Sequence, residues 1–305
     1  MVSQISNSGS YGNVLLESPE DWHDYALVDS GNGYKLERYG DYYLVRPEPE
    51  AIWKPSLAIQ DWESADSKFE INSEQHGGHW VNRIKLQDRW QMTYKGLRFW
   101  FQPGASRHVG VFPEQASHWV WMEDRIRQAN RSIRMLNLFG YTGIASLAAA
   151  RSGAEVTHVD ASQRVIQWGR ENQLLSGLEE KYIRWLKDDA IKFVKREIRR
   201  GSKYDAIILD PPKFGRGPQG EVWEFYDLIA LLLEYCRQIL TEQPLFVVLT
   251  AYAVKASSIT LYNAVSEMMK HWQGETTAGE LVLQEQTAAR YLSTAIFARW
   301  ESTSA

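Results

Sequence analysis

Arg134-Met135-Leu136-Asn137-Leu138-Phe139-Gly140-Tyr141-Thr142-Gly143 is the stretch that decides the fold of this 305-residue chain. A short apolar run ends in a glycine-containing turn, and an Ala-rich segment of helical composition follows at once. That is the opening unit of a parallel sheet covered by helices. The alternation then repeats. Strands read at 134–138, 155–160, 182–186, 206–210 and 245–250, and helices at 142–151, 162–174, 189–200, 221–240 and 257–272. Residues 280–285 and 294–300 read as a closing strand pair. The 221–240 helix sets Phe225, Ile229, Leu232, Cys236 and Leu240 at spacings of three and four, a stripe that faces a core. Cys236 therefore reads as packing and not as a nucleophile.

Upstream the texture changes. Residues 22–101 are short aromatic segments punctuated by turn residues, among them Gly31-Asn32-Gly33, Gly40-Asp41, Gly77-Gly78 and Gly96. Segments such as Tyr42-Tyr43-Leu44-Val45 and Trp90-Gln91-Met92-Thr93-Tyr94 cluster strand formers. The expectation is a loosely held Ser/Asn/Gly-rich terminus over 1–20, a β-rich domain over 21–104 and an α/β domain over 105–305. Eight of the 13 tryptophans precede residue 125. Sheet packing explains them more simply than a base-stacking surface does.

Composition excludes several classes. No apolar run approaches the ~18 residues that a membrane span needs, and the first twenty residues lack the pattern of a secretory signal. A single cysteine fits a reducing cytoplasm and supplies neither an internal disulfide nor a thiolate cluster. Net charge is −4, with 13 basic against 18 acidic residues in 1–130 and 21 against 20 beyond. Neither half carries the positive excess that phosphate neutralisation favours, which weighs against a nucleic-acid partner without excluding one.

Three acidic strand ends carry the chemistry. The turn at Gly140 opens the backbone to a ligand at the carboxyl edge of the sheet, but its spacing does not match the G-x-G-x-x-G cradle of a dinucleotide. Asp160 closes the next strand 20 residues after Gly140, where a carboxylate can accept from both hydroxyls of an adenosine ribose. Capping of the following helix, with Ser162, is the plainer role. After the third strand, one carboxylate of Asp188-Asp189-Ala190 can receive an adenine amine while the other caps the next helix. The fourth strand ends in Asp210-Pro211-Pro212-Lys213-Phe214, followed by a flexible Gly215–Gly220 stretch. Proline fixes its own φ and restricts its predecessor, so Asp210 sits on a rigid turn. Such a turn suits a group that accepts a nucleophile's proton or hydrogen bond.

The ordered set N-x-F-x-Y-T-G, V-D-A-S, D-D-A and D-P-P-K-F resembles the class I S-adenosylmethionine-dependent methyltransferases, and among them the large-subunit rRNA methyltransferase family, over roughly residues 105–300. The resemblance implies an α/β, Rossmann-like, mostly parallel seven-stranded sheet with the smaller β-rich domain in front of it. It implies S-adenosyl-L-methionine as cofactor and RNA as the acceptor. In such relatives a segment before the first strand wraps over the cofactor, and Gly110-Val111-Phe112-Pro113-Glu114-Gln115 looks like its counterpart. By that likeness Phe112 and Gln115 contact the cofactor. Asn137, Phe139, Gly140 and Thr142, in the turn with Tyr141 and Gly143, lie near its methionine moiety. Asp160 and Ala161, beside Ser162, take the ribose, and Asp189 and Ala190, beside Asp188, take the adenine. Asp210, Pro211 and Pro212 shape the acceptor site.

Two departures limit the likeness. Members that methylate cytosine C5 carry a cysteine after the fifth strand, where this chain has Leu249-Thr250-Ala251-Tyr252-Ala253-Val254. Covalent activation of cytosine is not expected. Amine-directed enzymes follow D-P-P with a stacking aromatic; here Lys213 intervenes, leaving Phe214 as the candidate. Other readings stay open: a small-molecule or protein acceptor, an NAD(P)-dependent oxidoreductase on the same topology, or a catalytically silent binding module. His76-Gly77-Gly78-His79 lacks the further ligands of a metal site, and no metal is expected. Lys195, Arg196, Arg199, Arg200 and Lys203 sit at a helix end, where positive charge complements the macrodipole. No oligomeric state is implied.

Overall fold

The computed structural model describes residues 14–72, 77–104 and 107–303. Its centre is an eight-stranded sheet, in spatial order Leu15–Glu17, Gly274–Gln284, Tyr291–Ser302, Phe246–Ala251, Ala206–Leu209, Arg134–Leu138, Glu155–Asp160 and Ile183–Lys187. The five strands from Phe246–Ala251 to Ile183–Lys187 are parallel, and Tyr291–Ser302 runs antiparallel between its neighbours. All six residues of Phe246–Ala251 are buried, as expected of a strand covered on both faces. Each large side chain so buried contributes ~1.5–3 kcal/mol.

Seven of these strands form the expected α/β sheet, and the eighth is a difference. Leu15–Glu17, from the stretch read as a loose terminus, pairs in parallel with Gly279 to Leu281 at the sheet edge, where Arg299 Nη2 meets Glu17 Oε1 at 2.5 Å. Residues 1–13 of that stretch lie outside the described residues. A second difference concerns 221–240. The helix is only Phe225–Gln238, and Val222–Glu224 pairs antiparallel with Phe214–Arg216, so the stretch read as flexible is the end of one strand and the turn of a β-hairpin. The closing strands are also longer than read, because they pair with each other along eleven positions.

The first third is β-rich as expected. Tyr25–Gly31, Tyr34–Tyr39 and Tyr42–Pro47 form an antiparallel meander extended by Ser67–Ile71 and Gly78–Asn82. Asn32 and Gly33 turn the first hairpin with φ of 52° and 80°, the left-handed pair that a two-residue hairpin needs. A separate hairpin, Trp90–Tyr94 with Leu97–Phe101, lies against the Ala-rich helix Ile144–Arg151. Ala148, Ala149 and Ala150 are fully buried there, and their small side chains let Met92, Phe99 and Phe101 join one continuous cluster with Met135 and Val156 of the main sheet. Trp22, Trp90 and Trp119 belong to the same cluster; Trp90 stacks on Phe101 at 4.4 Å. Arg290 bonds Glu285 (2.7 Å) and Asp29 (3.3 Å), tying the meander to the closing strands. The β-rich third is thereby fixed over one end of the sheet.

Among the described residues no helix is long and apolar enough to cross a membrane, and no cluster of three or more His, Cys, Asp or Glu could hold a metal ion. His76 lies outside the described residues, and His79 Nδ1 is 3.2 Å from Asn72 Oδ1.

Candidate active site

From Arg134–Leu138 the chain steps outward to Glu155–Asp160 and Ile183–Lys187, then returns to Ala206–Leu209 on the other flank of the first strand. Strand order reverses between the Asn137 and Ile208 strands, and crevices at such a switch point are where open α/β sheets bind ligands. The turn after Leu138 is unusual. Phe139 and Tyr141 have φ of 58° and 51°, and Gly143 has 80°. Strain of this kind in non-glycine residues costs of order 1–3 kcal/mol and gathers at ligand sites. Gly140 is required by space, because a Cβ there would stand 2.3 Å from His158 Cε1. His158 is fully buried, its Nδ1 2.9 Å from Ser146 Oγ, which in turn accepts Asn137 Nδ2 at 2.9 Å. Burial pushes the His158 pKa down to about 3, so the ring beneath the turn is neutral. Asn137 thus lies under the turn with its amide turned to Ser146.

Asp160 is fastened by the backbone around it. Its Oδ2 accepts from Tyr141 N at 3.0 Å and its Oδ1 from Ser162 N at 2.9 Å. Burial raises its pKa while these N–H groups lower it. Each oxygen keeps a further lone pair for a ligand hydroxyl. Ser162 is the N-cap of Gln163–Leu175 but makes no side-chain cap. The neighbouring pair resolves into two roles. Asp189 Oδ1 accepts Lys192 N at 2.9 Å and caps Ala190–Arg200, while Asp188 pairs with Arg196 and also accepts Asp189 N at 2.9 Å. Both line the cavity with Ala161 and Ala190. Two further cations of that helix end find local partners: Arg200 on Glu197 at 2.8 Å, and Lys203 on the Gln238 carbonyl at 2.9 Å.

The Gly110–Gln115 segment is clamped across the turn. Thr142 Oγ1 donates to Gly110 O at 2.6 Å and Gly110 N donates to Tyr141 Oη at 3.1 Å. Phe112 meets the rings of Tyr141 and Tyr252 at 5.5 and 5.4 Å. Gln115 Nε2 then reaches Asp210 Oδ2 at 3.0 Å and Tyr252 Oη at 3.1 Å. Asp210 Oδ1 is buried and has no hydrogen-bond partner. Burial, reinforced by Glu114, holds the Asp210 carboxyl well above the usual carboxylate range, and the Gln115 bond opposes this.

Pro211 is buried behind Asp210, and Pro212 O accepts Trp223 Nε1 at 2.6 Å. Phe214, the expected stacking aromatic, is 52% exposed and does not line the cavity. Hairpin phase explains this: Trp223 pairs with Gly215, one residue out of step with Phe214, and is the aromatic turned inward, 4.9 Å from Phe139. Trp223, Glu114, Tyr252 and His158 were missed by the sequence reading. Cys236 is buried and free in the helix core, where burial pushes its thiol up.

These groups surround a cavity of about 730 Å³ that runs from Asp160 and Asp189 past Phe139 to Asp210 and the Pro211-Pro212 turn. That volume is within the ~300–1,000 Å³ of small-molecule sites. Its far wall comes from the β-rich third, through Lys35, Arg46, Glu48 and Glu50. A chamber of about 70 Å³ beneath the strap, lined by Gln115, Asn137, Gly140 and Thr142, adjoins it at Asp210. A glycine turn with no room for a Cβ, a carboxylate fixed by two N–H groups and an unpartnered buried carboxylate oxygen suit a ligand that joins a ribose to a cationic centre.

Comparison with known proteins agrees. The model of a family described as S-adenosylmethionine-dependent methyltransferase matches residues 71–242. The crystal structure of the SAM-dependent methyltransferase from Agrobacterium tumefaciens superposes with a TM-score of 0.90 at 47% identity, covering 94% of this chain and 93% of that one. Among curated proteins, ribosomal RNA large subunit methyltransferase K of Neisseria meningitidis serogroup B is 24% identical over 191 residues, 60% of this chain and 53% of its own length. Ribosomal RNA large subunit methyltransferase I of Aeromonas salmonicida is 40% identical over 82 residues, 27% of this chain and 21% of its own length. The chain spans about half or less of these curated relatives. The NAD(P)-dependent reading falls away, and the chain belongs to the S-adenosylmethionine-dependent methyltransferase family, with S-adenosylmethionine as its cofactor.

Proposed function

We propose that the protein transfers the methyl group of S-adenosylmethionine to a nucleophile in RNA, in the cytoplasm, with large-subunit rRNA the first candidate. The observation that carries the catalytic part is Asp210: a carboxylate on a rigid Asp-Pro-Pro turn with Oδ1 buried and unpartnered beside the cavity. The cofactor supplies an activated methyl group that needs no further activation. The chain's task is orientation and proton acceptance. Asp160 and Ala161 hold the ribose end, Asp188, Asp189 and Ala190 the base end, and the Phe139–Gly143 turn under the clamped strap the methionine end. Asp210 accepts a hydrogen bond or proton from the nucleophile, which aligns it for in-line displacement. Trp223 offers the flat apolar wall for a planar acceptor, a place first given to Phe214.

The RNA part rests on the names of the two curated relatives and on the mouth of the cavity. Exposed Arg107, Arg216 and Lys255 come from three separate segments and line it, and such cations suit phosphates. Cys236 lies in the helix core and no cysteine follows the fifth strand, which favours direct transfer over a cysteine-bound intermediate. The test is label transfer. The protein is incubated with radiolabelled S-adenosylmethionine and total RNA, protein or metabolites from cells lacking it. Label in RNA is expected; label only in protein or metabolites would overturn the RNA reading and leave the cofactor in place.

A further inference from the structure

Arg46 is a buried cation in the cavity wall, 8% exposed. It lies on Tyr42–Pro47, opposite Lys35 and diagonal to Glu37 of Tyr34–Tyr39, so strand alternation puts the three side chains on one face of the meander. Leu36 and Val45 turn to the other face and form a small core there. We propose that Arg46 is a positioning residue of the cofactor site: clamped by Glu37 and Tyr39, its guanidinium fastens the strap at the Arg107 carbonyl and so makes the β-rich third part of the cofactor's enclosure.

The shape of the group dictates the bond. A guanidinium is planar and offers its N–H groups in a fixed fork. Nε donates to Glu37 Oε2 at 2.7 Å, while Nη2 donates to Glu37 Oε1 at 2.8 Å and to Tyr39 Oη at 2.5 Å. Glu37 is held in turn: it is fully buried, and its Oε1 also accepts the hydroxyls of Tyr25 and Tyr39, each at 2.9 Å. Burial alone would raise the Glu37 carboxyl, but Arg46 and Lys35 outweigh it and hold its pKa at about 2, so the pair is ionised. With one edge of the fork bonded twice to a fixed carboxylate, the plane sets where Nη1 points. Nη1 donates to Arg107 O at 2.9 Å, 61 residues further along the chain.

That carbonyl leads into the strap. Val109 O, two residues on, accepts Gln102 N at 3.0 Å, and Gly110 is bonded through both its N–H and its carbonyl to the Tyr141-Thr142 turn. Phe112 and Gln115 follow, the latter on Asp210 at 3.0 Å. The strap is therefore suspended between the turn that floors the site and the meander that walls it. A buried ion pair adds little net stability over apolar residues of like shape, because desolvating two charges offsets their attraction. Apolar residues could not direct an N–H group at Arg107 O. Lysine could not either, since a point charge on a flexible stem can satisfy Glu37 without fixing a second bond. Loss of the Arg107 bond frees the start of the strap, and with it the placement of Phe112 and Gln115 over the cofactor.

The proposal rests on the strap being part of the cofactor site and is independent of the RNA reading. Hydrogen exchange read by mass spectrometry would compare segments 107–115 and 34–47 in the whole protein, and titration calorimetry would measure S-adenosylhomocysteine binding. In Arg46→Lys the strap segment should exchange ~5-fold or more faster while the meander segment stays within ~2-fold of native. The ligand should bind ~3-fold or more weakly. Glu37→Gln combined with Arg46→Met is the second variant: it keeps an acceptor for the two tyrosines, leaves no buried charge pair, and should give the same two changes. Absence of binding by the native protein would overturn the cofactor site and the anchor together. Native binding with changes in the variants short of those factors would overturn the anchor alone. Protection lost equally from both segments, or failure of both variants to fold, would overturn it as well, since the pair would then support the fold and not the strap.

Discussion

Thr142 Oγ1 lies 2.6 Å from the carbonyl of Gly110, joining the glycine turn of the first parallel strand to a strap 32 residues earlier in the chain. Because Gly110 N also meets Tyr141 Oη at 3.1 Å, the roof and the floor of the cofactor site form one unit. Thr142→Val keeps the shape and removes the donor, leaving a buried carbonyl unpaired at a cost of ~1–3 kcal/mol. S-adenosylhomocysteine should bind ~5-fold or more weakly by titration calorimetry. Unchanged affinity would separate the strap from cofactor binding.

Asp210→Asn should stabilise the ligand-free protein while removing turnover. The Asp210 carboxyl has a proton affinity raised by burial and by Glu114. The unfolded chain ionises it near the ordinary value of ~3.9, so above that pH ionisation favours the unfolded state. The penalty grows until pH passes the raised folded value and is then constant. Asparagine removes it and keeps an acceptor for Gln115. Differential scanning calorimetry at pH 7 should show a Tm gain of ~2–4 °C that vanishes below about pH 4. Loss of Tm at pH 7 would contradict the burial argument. Stability gained at the expense of activity is a common signature of a functional site.

Gly140→Ala places a Cβ 2.3 Å from His158 Cε1, with the ring held by Ser146. Either the turn or the ring must move. Cofactor affinity should fall at least ~10-fold, since a buried ring cannot shift without repacking. Gly77→Ala, where a Cβ meets nothing within 4 Å, is the control and should bind normally. Equal behaviour of the two variants would remove the steric account of the turn.

Cys236→Ala should cost ~1–2 kcal/mol of stability through the small cavity it leaves and should leave label transfer within ~2-fold of the native rate. The thiol is fully buried in the Phe225–Gln238 helix, away from the cavity lining. Abolished transfer by a folded variant would reopen a covalent mechanism.

Much of this was legible in the sequence because the parallel sheet writes its order into the chain. Apolar strands, turn glycines and strand-end carboxylates follow one another locally, so Asp160 and Asp210 are found along one rim. What could not be read depends on long-range geometry. Trp223 replaces Phe214 on the cavity wall because an antiparallel hairpin fixes the phase, and the hairpin lies where helix-like spacing continues. Glu114 looks like an ordinary surface glutamate until the strap buries it in the cavity wall. Lys35 and Arg46 line the cavity only because the β-rich third packs over the sheet through the alanines of Ile144–Arg151. Asp188 and Asp189 could not be told apart until the helix start fixed Asp189 as its cap.

The measurement that bears most directly on the central claim is calorimetric titration of S-adenosylhomocysteine into the native protein and into Asp160→Ala at pH 7.5. Micromolar-range affinity is expected for the native chain and a loss of ~10-fold or more for the variant, because Asp160 offers charge-assisted acceptors held in place by Tyr141 N and Ser162 N. Absence of binding by well-folded native protein, or equal binding by the two, would contradict a cofactor laid along the rim from Asp160 to Asp210.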